Sequence, residues 1–581
     1  MKAMSNADVV RAFQRIADLL EIDGADRFRI NSYKRAARTI KESPAPLEKL
    51  IEAGKLTELP GIGKGTANRI KQFLETGHID VLDALAAKFP AGLPQLLEIQ
   101  GMGPKKVAFA YHELGVGDLD DLKKVISNGT LAKLPGLGET SVKKIAEGIA
   151  FMEKSGGRTP MGRALPVAER FSSLIATLPG VKRVEIAGSL RRGKETVGDV
   201  DLLCEATDGS EVIETFAKCE SVKRVLARGN TKGSVIVELG DGRELQVDLR
   251  VVDEHAFGAA LQYFTGSKEH NVRLRERAIS RKWRLNEYGL FDGEKRLAGQ
   301  TEEEVYRLLE LPWIPPELRE DRGELESESP LPELLTLADI RGDLHMHTVA
   351  SDGKCTIDEM ATAAKKRGYR YIAICDHSKS SSIANGLSMD RMETQIKEIR
   401  AANKRIPGIE ILVGTECDIL ANGEMDYPDE ILSRCDWVVA SIHSAMRPGK
   451  SQKLSPTERT IAAMENKWVC AIGHPTGRLI NRRPPMEIDI HRIIEAAAET
   501  KTLLEVNASW QRLDLRDVHT TRALVAGVML TINTDAHHVD QLDQMRFGVT
   551  TARRARATKN DVANCLTLAD LRKHIAQKRT T

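Results

Sequence analysis

The spacing of apolar residues divides the chain into three parts. Six apolar residues near the start recur at the helical period: Val9, Val10, Phe13, Ile16, Leu19 and Leu20. They predict helices over residues 5–50. After residue 180, the segments typical of strands lie at 184–187, 199–203, 234–239 and 245–252. Beyond residue 340, strand-like runs alternate with helical segments, at 371–374, 411–413, 437–440, 469–472, 503–506 and 528–532. This alternation predicts a parallel βα architecture that could close as a barrel.

A short motif occurs three times in the first part of the chain. The copies at 59–63, 99–103 and 134–138 share a Gly–apolar–Gly turn, and basic amphipathic helices follow at 66–73, 105–111 and 141–149. Glycine permits the tight turn, and the amides at the following helix N-terminus stabilise an anion. The repeats predict helix-hairpin-helix elements that hold DNA phosphates without reading bases. The expected contacts are Gly61, Gly63, Lys64, Gly101, Gly103, Lys105, Gly136 and Gly138.

Three aspartates in the second part suggest a metal site. Asp199 and Asp201 stand two residues apart on a predicted strand and therefore point to the same face. Asp248 lies in a neighbouring run and would complete an oxygen site for two Mg²⁺ ions, as in-line phosphoryl transfer requires. Gly188 and Ser189, which follow another strand, suit a phosphate cradle.

Histidine is concentrated in the third part, where nine of the 14 lie between His345 and His538. Acids and imidazoles follow successive predicted strands, at the end of a barrel where active sites form. Imidazole with carboxylate suits Zn²⁺, Mn²⁺ or Fe²⁺ rather than Mg²⁺ alone. The candidate ligands are His345, His347, Asp352, His377, Glu416, His443, His474, Asp535 and His537. We interpret His491, His519 and His538 as ordinary surface or core residues.

The segments 188–193, 198–201 and 263–267 resemble the family X DNA polymerases, the family of DNA polymerase beta, and the resemblance covers residues 1–312. It implies that Asp199, Asp201 and Asp248 are catalytic and hold Mg²⁺ or Mn²⁺, with Asp248 also helping to activate the primer 3′-hydroxyl. It also implies nucleotide or nascent base-pair contacts at Arg158, Gly188, Ser189, Arg192, Tyr263, Phe264, Gly266, Asn271 and Arg275.

One departure from that family concerns lyase chemistry. Members with 5′-deoxyribose-phosphate lyase activity use a lysine on the helix of the first repeat, where this chain has Arg69. Arginine stays protonated and cannot act as a free amine nucleophile. Lys64 and Lys71 lie nearby, but we expect no efficient lyase activity.

The third part is similar to the polymerase and histidinol phosphatase (PHP) domain over residues 340–570, because the candidate ligands occur in that family's order. The resemblance implies a distorted (β/α)₇ barrel with up to three Mn²⁺ or Zn²⁺ ions. It groups His345, His347, Glu416 and Asp535 around one metal, Asp352, His377 and His537 around a second, and Glu416, His443 and His474 around a third. It further implies phosphoester hydrolysis, as in related enzymes with a Mn²⁺-dependent 3′–5′ exonuclease. Abasic-site incision or 3′-phosphate removal is compatible with the same site.

Charge and composition refine this division. The net charge of +2 excludes a bulk polycation, while residues 301–340 carry 3 basic and 12 acidic side chains, which is typical of a linker. The eight cysteines form no CxxC pair, so we expect no disulfide framework. No apolar run spans a bilayer and no leader precedes the chain, so we expect a cytoplasmic protein without membrane contact.

The expected fold is multidomain, with α-helical DNA-binding modules, an α+β nucleotidyltransferase palm and an α/β distorted barrel. The predicted boundaries are 1–85 for the first helical domain, 86–155 for the second, 156–258 for the palm, 259–312 for the nascent-base-pair subdomain, 313–340 for a Pro/Glu-rich linker and 341–575 for the barrel.

Together these features predict a monomeric DNA-directed DNA polymerase that fills short gaps in base-excision repair. Its partners would be gapped or primer–template DNA and deoxynucleoside triphosphates, and the barrel would add a 3′–5′ exonuclease. Two alternatives remain open. One is a DNA-targeted PHP phosphoesterase with a silent polymerase half, and the other is a DNA-end-binding scaffold without activity.

Overall fold

The computed structural model describes residues 6–42, 47–59, 61–90, 92–99, 101–134, 136–154, 157–239, 242–325, 331–446 and 454–580. The motif residues Pro60, Gln100 and Pro135 and the linker segment 326–330 lie outside these ranges. The chain forms two compact units, one of residues 1–157 with 481–483 and the other of residues 158–480 with 484–581. Within the described ranges, no helix is both long enough and apolar enough to cross a bilayer.

The first unit is helical. The apolar face predicted for the N-terminal segment, including Phe13, Ile16 and Leu20, is fully buried in its core. Short 3₁₀ turns at Leu56–Glu58, Leu93–Glu98 and Leu131–Lys133 precede the three repeated motifs. The helices are α1 (Asn6–Ile22), α2 (Arg27–Glu42), α3 (Leu47–Glu52), α4 (Lys64–Thr76), α5 (Asp80–Lys88), α6 (Pro104–Leu114), α7 (Leu119–Ser127) and α8 (Glu139–Lys154).

The second unit begins with an α+β palm. Its five-stranded sheet has the order β2-β4-β7-β6-β5, in which β4 and β7 are parallel and the other neighbours antiparallel. The elements are β1 (Thr159–Pro160), α9 (Met161–Ala176), β2 (Val181–Ile186), α10 (Gly188–Arg191), β3 (Thr196–Val197), β4 (Asp199–Ala206), α11 (Gly209–Ala217), β5 (Val222–Arg228), β6 (Lys232–Glu238) and β7 (Glu244–Val252).

A smaller subdomain follows the palm and is anchored by a buried ion pair. Glu302 accepts hydrogen bonds from Arg191 and from the fully buried Arg319. Burial alone would raise the pKa of Glu302, but the two guanidinium groups lower it to about 2. The elements are α12 (Phe257–Thr265), α13 (Lys268–Ser280), β8 (Arg284–Asn286), β9 (Gly289–Asp292), β10 (Lys295–Ala298) and α14 (Glu302–Leu308).

The rest of the second unit is a barrel of seven parallel strands in sequence order. The first and last strands meet through a bridge between Met346 and Ala536, so the barrel is nearly closed. Six strands are buried along their whole length, and the third carries one half-buried residue at its start, as expected for a parallel sheet covered by helices. The strands are β11 (Gly342–Met346), β12 (Tyr371–Ile374), β13 (Glu410–Asp418), β14 (Trp437–Ser441), β15 (Ala471–Ile472), β16 (Leu503–Asn507) and β17 (Leu530–Asn533). The helices are α15 (Ile357–Lys366), α16 (Met389–Arg405), α17 (Asp429–Leu432), α18 (Pro456–Glu465), α19 (Ile490–Thr500), α20 (Asp517–Val525), α21 (Met545–Arg554) and α22 (Leu568–Arg579). The predicted multidomain fold class is confirmed.

Palm and barrel share a hydrophobic core. Ile480, Leu513 and Phe547, from loops and a helix beyond the carboxyl ends of β15, β16 and β17, pack in one cluster with palm residues such as Met161. A side chain at Gly162 would overlap Trp510, so the glycine permits close approach of α9 to the barrel. The loops that border the barrel's active end therefore also support the palm.

The described parts of the predicted linker are packed rather than free. Ile314 and Leu335 are buried, and three acids of the segment bind arginine or histidine side chains on other elements. Glu317 pairs with Arg553 at 2.7 Å, Glu320 with Arg192 at 2.9 Å, and Glu324 with His270 at 2.7 Å. The acidic side chains of this segment therefore connect the palm, the small subdomain and the barrel.

Candidate active sites

Two adjacent parallel strands bring the three palm aspartates together. Asp199 and Asp201 lie on one face of β4, and the β4–β7 register places Asp201 directly beside Asp248. Burial, followed by repulsion from Asp199 and Asp248, raises the pKa of Asp201 to about 7. In the described palm, no three carboxylate oxygens converge within 4.8 Å of one another. A buried carboxylate that resists ionising beside two other carboxylates favours a divalent cation, and all-oxygen donors suit Mg²⁺ or Mn²⁺.

The turn before this site requires glycine. Gly188 has φ +65°, and a Cβ on it would overlap Oδ2 of Asp201. Only glycine combines this left-handed backbone with so close an approach. The sequence placed Gly188 and Ser189 at a strand end; the structure ends β2 at Ile186 and places both residues in the first turn of α10.

Two arginines among the predicted nucleotide contacts are held by other groups of the protein. Arg158 donates to Thr196 Oγ1 at 3.2 Å and to the Thr196 carbonyl at 2.8 Å, and its Nη1 lies 3.6 Å from the Cβ position of Gly198. Arg192 donates to Glu320 at 2.9 Å and to the carbonyl of Thr265. The guanidinium expected to meet a triphosphate is therefore held by a linker carboxylate in this structure.

Residues of α12 and α13 complete this neighbourhood. A Cβ on Gly266 would stand 3.1 Å from Nη1 of Arg192. Asn271 donates to the carbonyl of Tyr263 at 2.7 Å and accepts from Gln262. Phe264 meets Tyr263 edge to face at a ring distance of 5.1 Å, and Arg275 follows one helical turn after Asn271.

The repeated turns in the first unit share one geometry. The first glycines, Gly61, Gly101 and Gly136, have φ of +80°, +93° and +75°. Gly63 and Gly103 are the N-caps of α4 and α6 and have extended backbone. A Cβ on Gly63, Gly103 or Gly138 would meet nothing within 4 Å. The following helix N-termini are thus open to an approaching anion, with Lys64 and Lys105 in the first turns of α4 and α6.

Arg69 lies on α4 in the first of these elements. Its Nη1 donates to the carbonyl of Gly65 at 3.0 Å, and its guanidinium lies 5.8 Å from the ring centre of Tyr33. The weakness of lyase chemistry stays a prediction.

The barrel gathers all nine candidate ligands at the carboxyl ends of its strands. Three compact groups of donors form: His347 with Asp352, His377 and His537; His345 with His347 and Asp535; and His377 with Glu416 and His443. His474 Nε2 lies 2.9 Å from Glu416 Oε1 and 3.4 Å from His443 Nε2. The resemblance implied one metal for His347 and one for His377, whereas in the structure each of these histidines belongs to two groups. Glu416 lies within 3.6 Å of five of the histidines.

The buried carboxylates of this cluster stay ionised because imidazoles surround them. Burial would raise the pKa of Glu416, but His443, His377 and His345 hold it well below its usual value. Burial would lower the pKa of His443, whereas Glu416 and Asp418 raise it to about 10. Burial, with His537 and His377 nearby, lowers the pKa of His347 to about 4. Ionised buried carboxylates therefore alternate with neutral and charged imidazoles.

Several donor atoms of the cluster lie close to one another without forming hydrogen bonds; His377 Nδ1, for example, lies 2.9 Å from Glu416 Oε2. His345 Nε2, His377 Nδ1 and Glu416 Oε2 are buried without a hydrogen bond in the described structure. Buried polar atoms are normally satisfied, and mixed imidazole and carboxylate donors that converge without hydrogen bonds suit Zn²⁺, Mn²⁺ or Fe²⁺. The residues present therefore fit a metal centre.

Comparison with known proteins identifies the family. Family models match residues 4–79 (Helix-hairpin-helix domain), 93–150 (SAM-like Helix-hairpin-helix tandem), 260–320 (DNA polymerase beta thumb) and 343–509 (PHP domain). The DNA polymerase/3'-5' exonuclease PolX of Bacillus subtilis (strain 168) is 40% identical over 570 residues, covering 98% of this chain and 99% of that protein. The chain belongs to the family X DNA polymerases that carry a PHP domain. The predicted resemblance is confirmed.

Further relatives match the two halves of this family X chain separately. DNA polymerase lambda of Rattus norvegicus is 28% identical over 342 residues, covering 54% of this chain and 56% of that protein. A probable phosphatase of Caldanaerobacter subterraneus, TTE1963, is 30% identical over 203 residues, covering 34% of this chain and 75% of that protein.

Two carboxylates that hold candidate ligands of the barrel, Glu505 and Asp418, were not predicted from the sequence. Glu505, fully buried on β16, accepts from His345 Nδ1 at 2.8 Å and from the amide of His474 at 2.6 Å. Asp418 accepts from His443 Nδ1 at 2.6 Å. A signal for Glu505 was present, because a carboxylate inside an otherwise apolar barrel strand requires a buried partner.

Proposed function

We propose that this family X chain is a DNA-directed DNA polymerase that fills short gaps during repair and carries a metal-dependent 3′–5′ exonuclease in its barrel. The observation that supports the polymerase assignment most strongly is the strand register that sets Asp201 beside Asp248 at the Gly188 turn. The exonuclease assignment is supported by nine converging donors at the barrel's active end.

In the palm, the chain's own residues would bind and orient the reactants. Ser189, Arg158 and Arg192 would hold the triphosphate of the incoming nucleotide, and Arg192 would exchange Glu320 for a phosphate. Tyr263, Phe264 and Gly266 would line the sugar pocket, and Asn271 and Arg275 would lie beside the nascent base pair. Asp248 would accept the proton of the primer 3′-hydroxyl. Mg²⁺ or Mn²⁺ held by Asp199, Asp201 and Asp248 would supply Lewis-acid stabilisation of the phosphoryl charge.

In the barrel, six histidines and three acids would hold Mn²⁺ or Zn²⁺, which would activate water and stabilise charge on the phosphoryl oxygen. Glu505 and Asp418 would fix the ring orientations of His345 and His443 by accepting hydrogen bonds from their Nδ1 atoms. The scissile bond would be the terminal phosphodiester of a DNA 3′ end. Abasic-site incision or 3′-phosphate removal would use the same residues.

The substrates follow from the two sites together. We propose gapped or primer–template DNA, held through the helix-hairpin-helix turns, with deoxynucleoside triphosphates. The enzyme would act as a monomer in the cytoplasm, whose reducing conditions suit the eight free cysteines.

Primer extension on a one-nucleotide gap tests the polymerase assignment. The double variant Asp199→Ala/Asp201→Ala should lose extension. The matched control Glu244→Gln removes an exposed carboxylate on the same strand as Asp248 and should extend normally. Unchanged extension by the double variant would remove these aspartates from the polymerase site. Absence of extension by the wild type, with degradation intact, would instead establish a phosphoesterase whose polymerase half is silent.

A further inference from the structure

A cleft of about 440 Å³ opens between the palm and the barrel, outside both clusters of acidic side chains. Five cations line it: Arg158 and Lys194 from the palm, Arg322 from the linker, and Arg516 and Arg554 from the barrel. Its carboxylates are Glu195 and Asp517. The lining therefore carries three more positive than negative charges. We refer to this space as the interdomain cleft.

The two carboxylates are already paired. Asp517 accepts from Arg554 at 2.9 Å and from Arg322 at 3.1 Å, and Glu195 accepts from Arg478 at 2.7 Å. The excess charge therefore resides on other groups of the lining, above all Lys194 and Arg516.

Lys194 and Arg516 face the cleft with little compensation. The nearest carboxylate oxygen to the Lys194 ammonium belongs to Glu320, at 3.5 Å, and Glu320 is shared with Arg192 and Arg554. Burial lowers the pKa of Lys194, although Glu320 opposes this effect. Arg516, exposed at the start of α20, forms no ion pair with any residue that the structure describes. A bound anion would restore neutrality here.

Residues that line the interdomain cleft lie close in sequence to groups of both active sites. On the palm side, Thr196 precedes the catalytic Asp199 by three residues. On the barrel side, Arg516 follows Arg512 by four residues, a distance of at most about 14 Å along an extended chain. The Nε of Arg512 lies 3.7 Å from Oδ2 of the barrel ligand Asp535. A strand lying in this cleft would therefore pass beside chain segments that lead into both active sites.

We propose that the interdomain cleft binds the phosphodiester backbone of a single-stranded primer 3′ segment as it passes from the palm aspartates to the barrel cluster. The proposal rests on the proposed function, which supplies both end points. Cations contributed by palm, linker and barrel suit a ligand that extends across the interface, whereas a nucleotide triphosphate would need palm groups alone. No aromatic side chain lines the cleft, so binding would occur through phosphates rather than base stacking.

Transfer of the primer 3′ end between the two sites, followed in a single turnover, measures this role directly. The full-length double variant Lys194→Ala/Arg516→Ala is compared with the wild type and with Arg522→Ala. Arg522 lies on the same helix α20, outside the lining, and bonds His491 at 2.9 Å. Each protein is bound to a gapped duplex with a mismatched primer 3′ end. Mn²⁺, nucleotides and excess single-stranded trap DNA are then added together.

Excision followed by re-extension without dissociation should fall about tenfold in the double variant, because two charge-assisted phosphate contacts are lost. Extension of a matched primer and degradation of a free oligothymidylate should stay unchanged, and Arg522→Ala should behave as the wild type. Undiminished transfer in the double variant would overturn the proposal. Loss of matched extension or of free-strand degradation in the wild type would contradict the proposed function instead.

Binding of a labelled oligothymidylate shows whether the cleft binds the phosphates of a DNA strand or those of a free polyphosphate. The slope of log affinity against log salt should decrease by about 1.4 in the double variant, which corresponds to two single-strand phosphate contacts. An unchanged slope together with a raised KM for nucleotides, or weaker inhibition by pyrophosphate, would assign the cleft to a polyphosphate and refute a strand-binding role.

Discussion

At the residue scale, ligand geometry in the barrel depends on carboxylates that lie behind the imidazoles. Glu505 is fully buried and bonds both His345 Nδ1 and the His474 amide, so one side chain fixes two candidate ligands. An acceptor on Nδ1 also leaves Nε2 as the free donor atom, which is the arrangement a metal requires.

Replacement of this acceptor should weaken metal binding. We expect Glu505→Gln to reduce Mn²⁺ affinity about 10–100-fold, the usual effect of losing such a partner. Free Mn²⁺ in a titration of the metal-depleted protein measures this by electron paramagnetic resonance. The control Glu410→Gln removes a half-buried carboxylate at the start of barrel strand β13, which pairs with Arg572 on the outside of the cluster of candidate ligands, and should bind normally. Equal affinity in both variants would show that Glu505 does not orient His345.

Asp201 makes the stability of the metal-free palm depend on pH. Its pKa of about 7 exceeds the ordinary 3.8, so between these values the folded protein binds more protons than the unfolded chain. Stability from this group is therefore lost as pH rises through that interval. Asp201→Asn should raise the free energy of unfolding of EDTA-treated protein more at pH 8 than at pH 5, by a difference on the order of 1–4 kcal/mol. The thermal midpoint, measured at both pH values, reports this difference as a larger upward shift at pH 8. An equal shift at both pH values would exclude this carboxylate repulsion, and Glu220→Gln, an exposed palm acid, is the control.

At the element scale, the two glycines of each repeated turn have different roles. The first supplies the left-handed backbone, as the φ of +80° at Gly61 shows. The second, such as Gly63, lies at the helix N-terminus with open space where a side chain would stand. In the first repeat, the second position therefore leaves room for a phosphate, whereas a Cβ at Gly61 would overlap Arg35.

Valine at the second glycine should separate DNA binding from folding. We expect Gly63→Val/Gly138→Val to keep its thermal midpoint and to lose about tenfold in affinity for a gapped duplex, because two phosphate contacts are blocked. Anisotropy of labelled DNA measures this loss. Gly61→Val is the contrast, since its Cβ would stand 2.6 Å from Arg35 Cδ on a left-handed backbone and should destabilise the unit. Unaltered affinity in the double variant would mean that these turns do not face DNA.

The apolar pattern predicted most barrel strands but not the first one. β11 carries Asp343 and His345 at alternate positions, so its sequence lacks an apolar run although every residue is buried. Asp343 is satisfied by the Thr534 hydroxyl and amide, partners some 190 residues away that no local pattern reveals. Most ligand positions were predictable because they follow an apolar run of the sequence, as Glu416 follows 411–413, whereas Glu505 lies inside such a run.

At the scale of the whole molecule, acidic and basic surpluses compensate across domain boundaries. The sequence indicated an acidic linker from composition alone. It could not show that Glu317 and Glu320 bind arginines of the barrel and palm, because those partners are distant in sequence. The near-neutral net charge thus conceals local basic surfaces such as the interdomain cleft.

On the proposed function, one chain holds two independent sites for phosphate chemistry. Product lengths from a 3′-mismatched primer in a gap, with Mn²⁺ and nucleotides, test it most directly. Wild type should both shorten and lengthen the primer. Asp199→Ala/Asp201→Ala should only shorten it, and His345→Ala/His347→Ala should only lengthen it. Loss of both activities in either variant, or continued lengthening by the aspartate variant, would contradict the account.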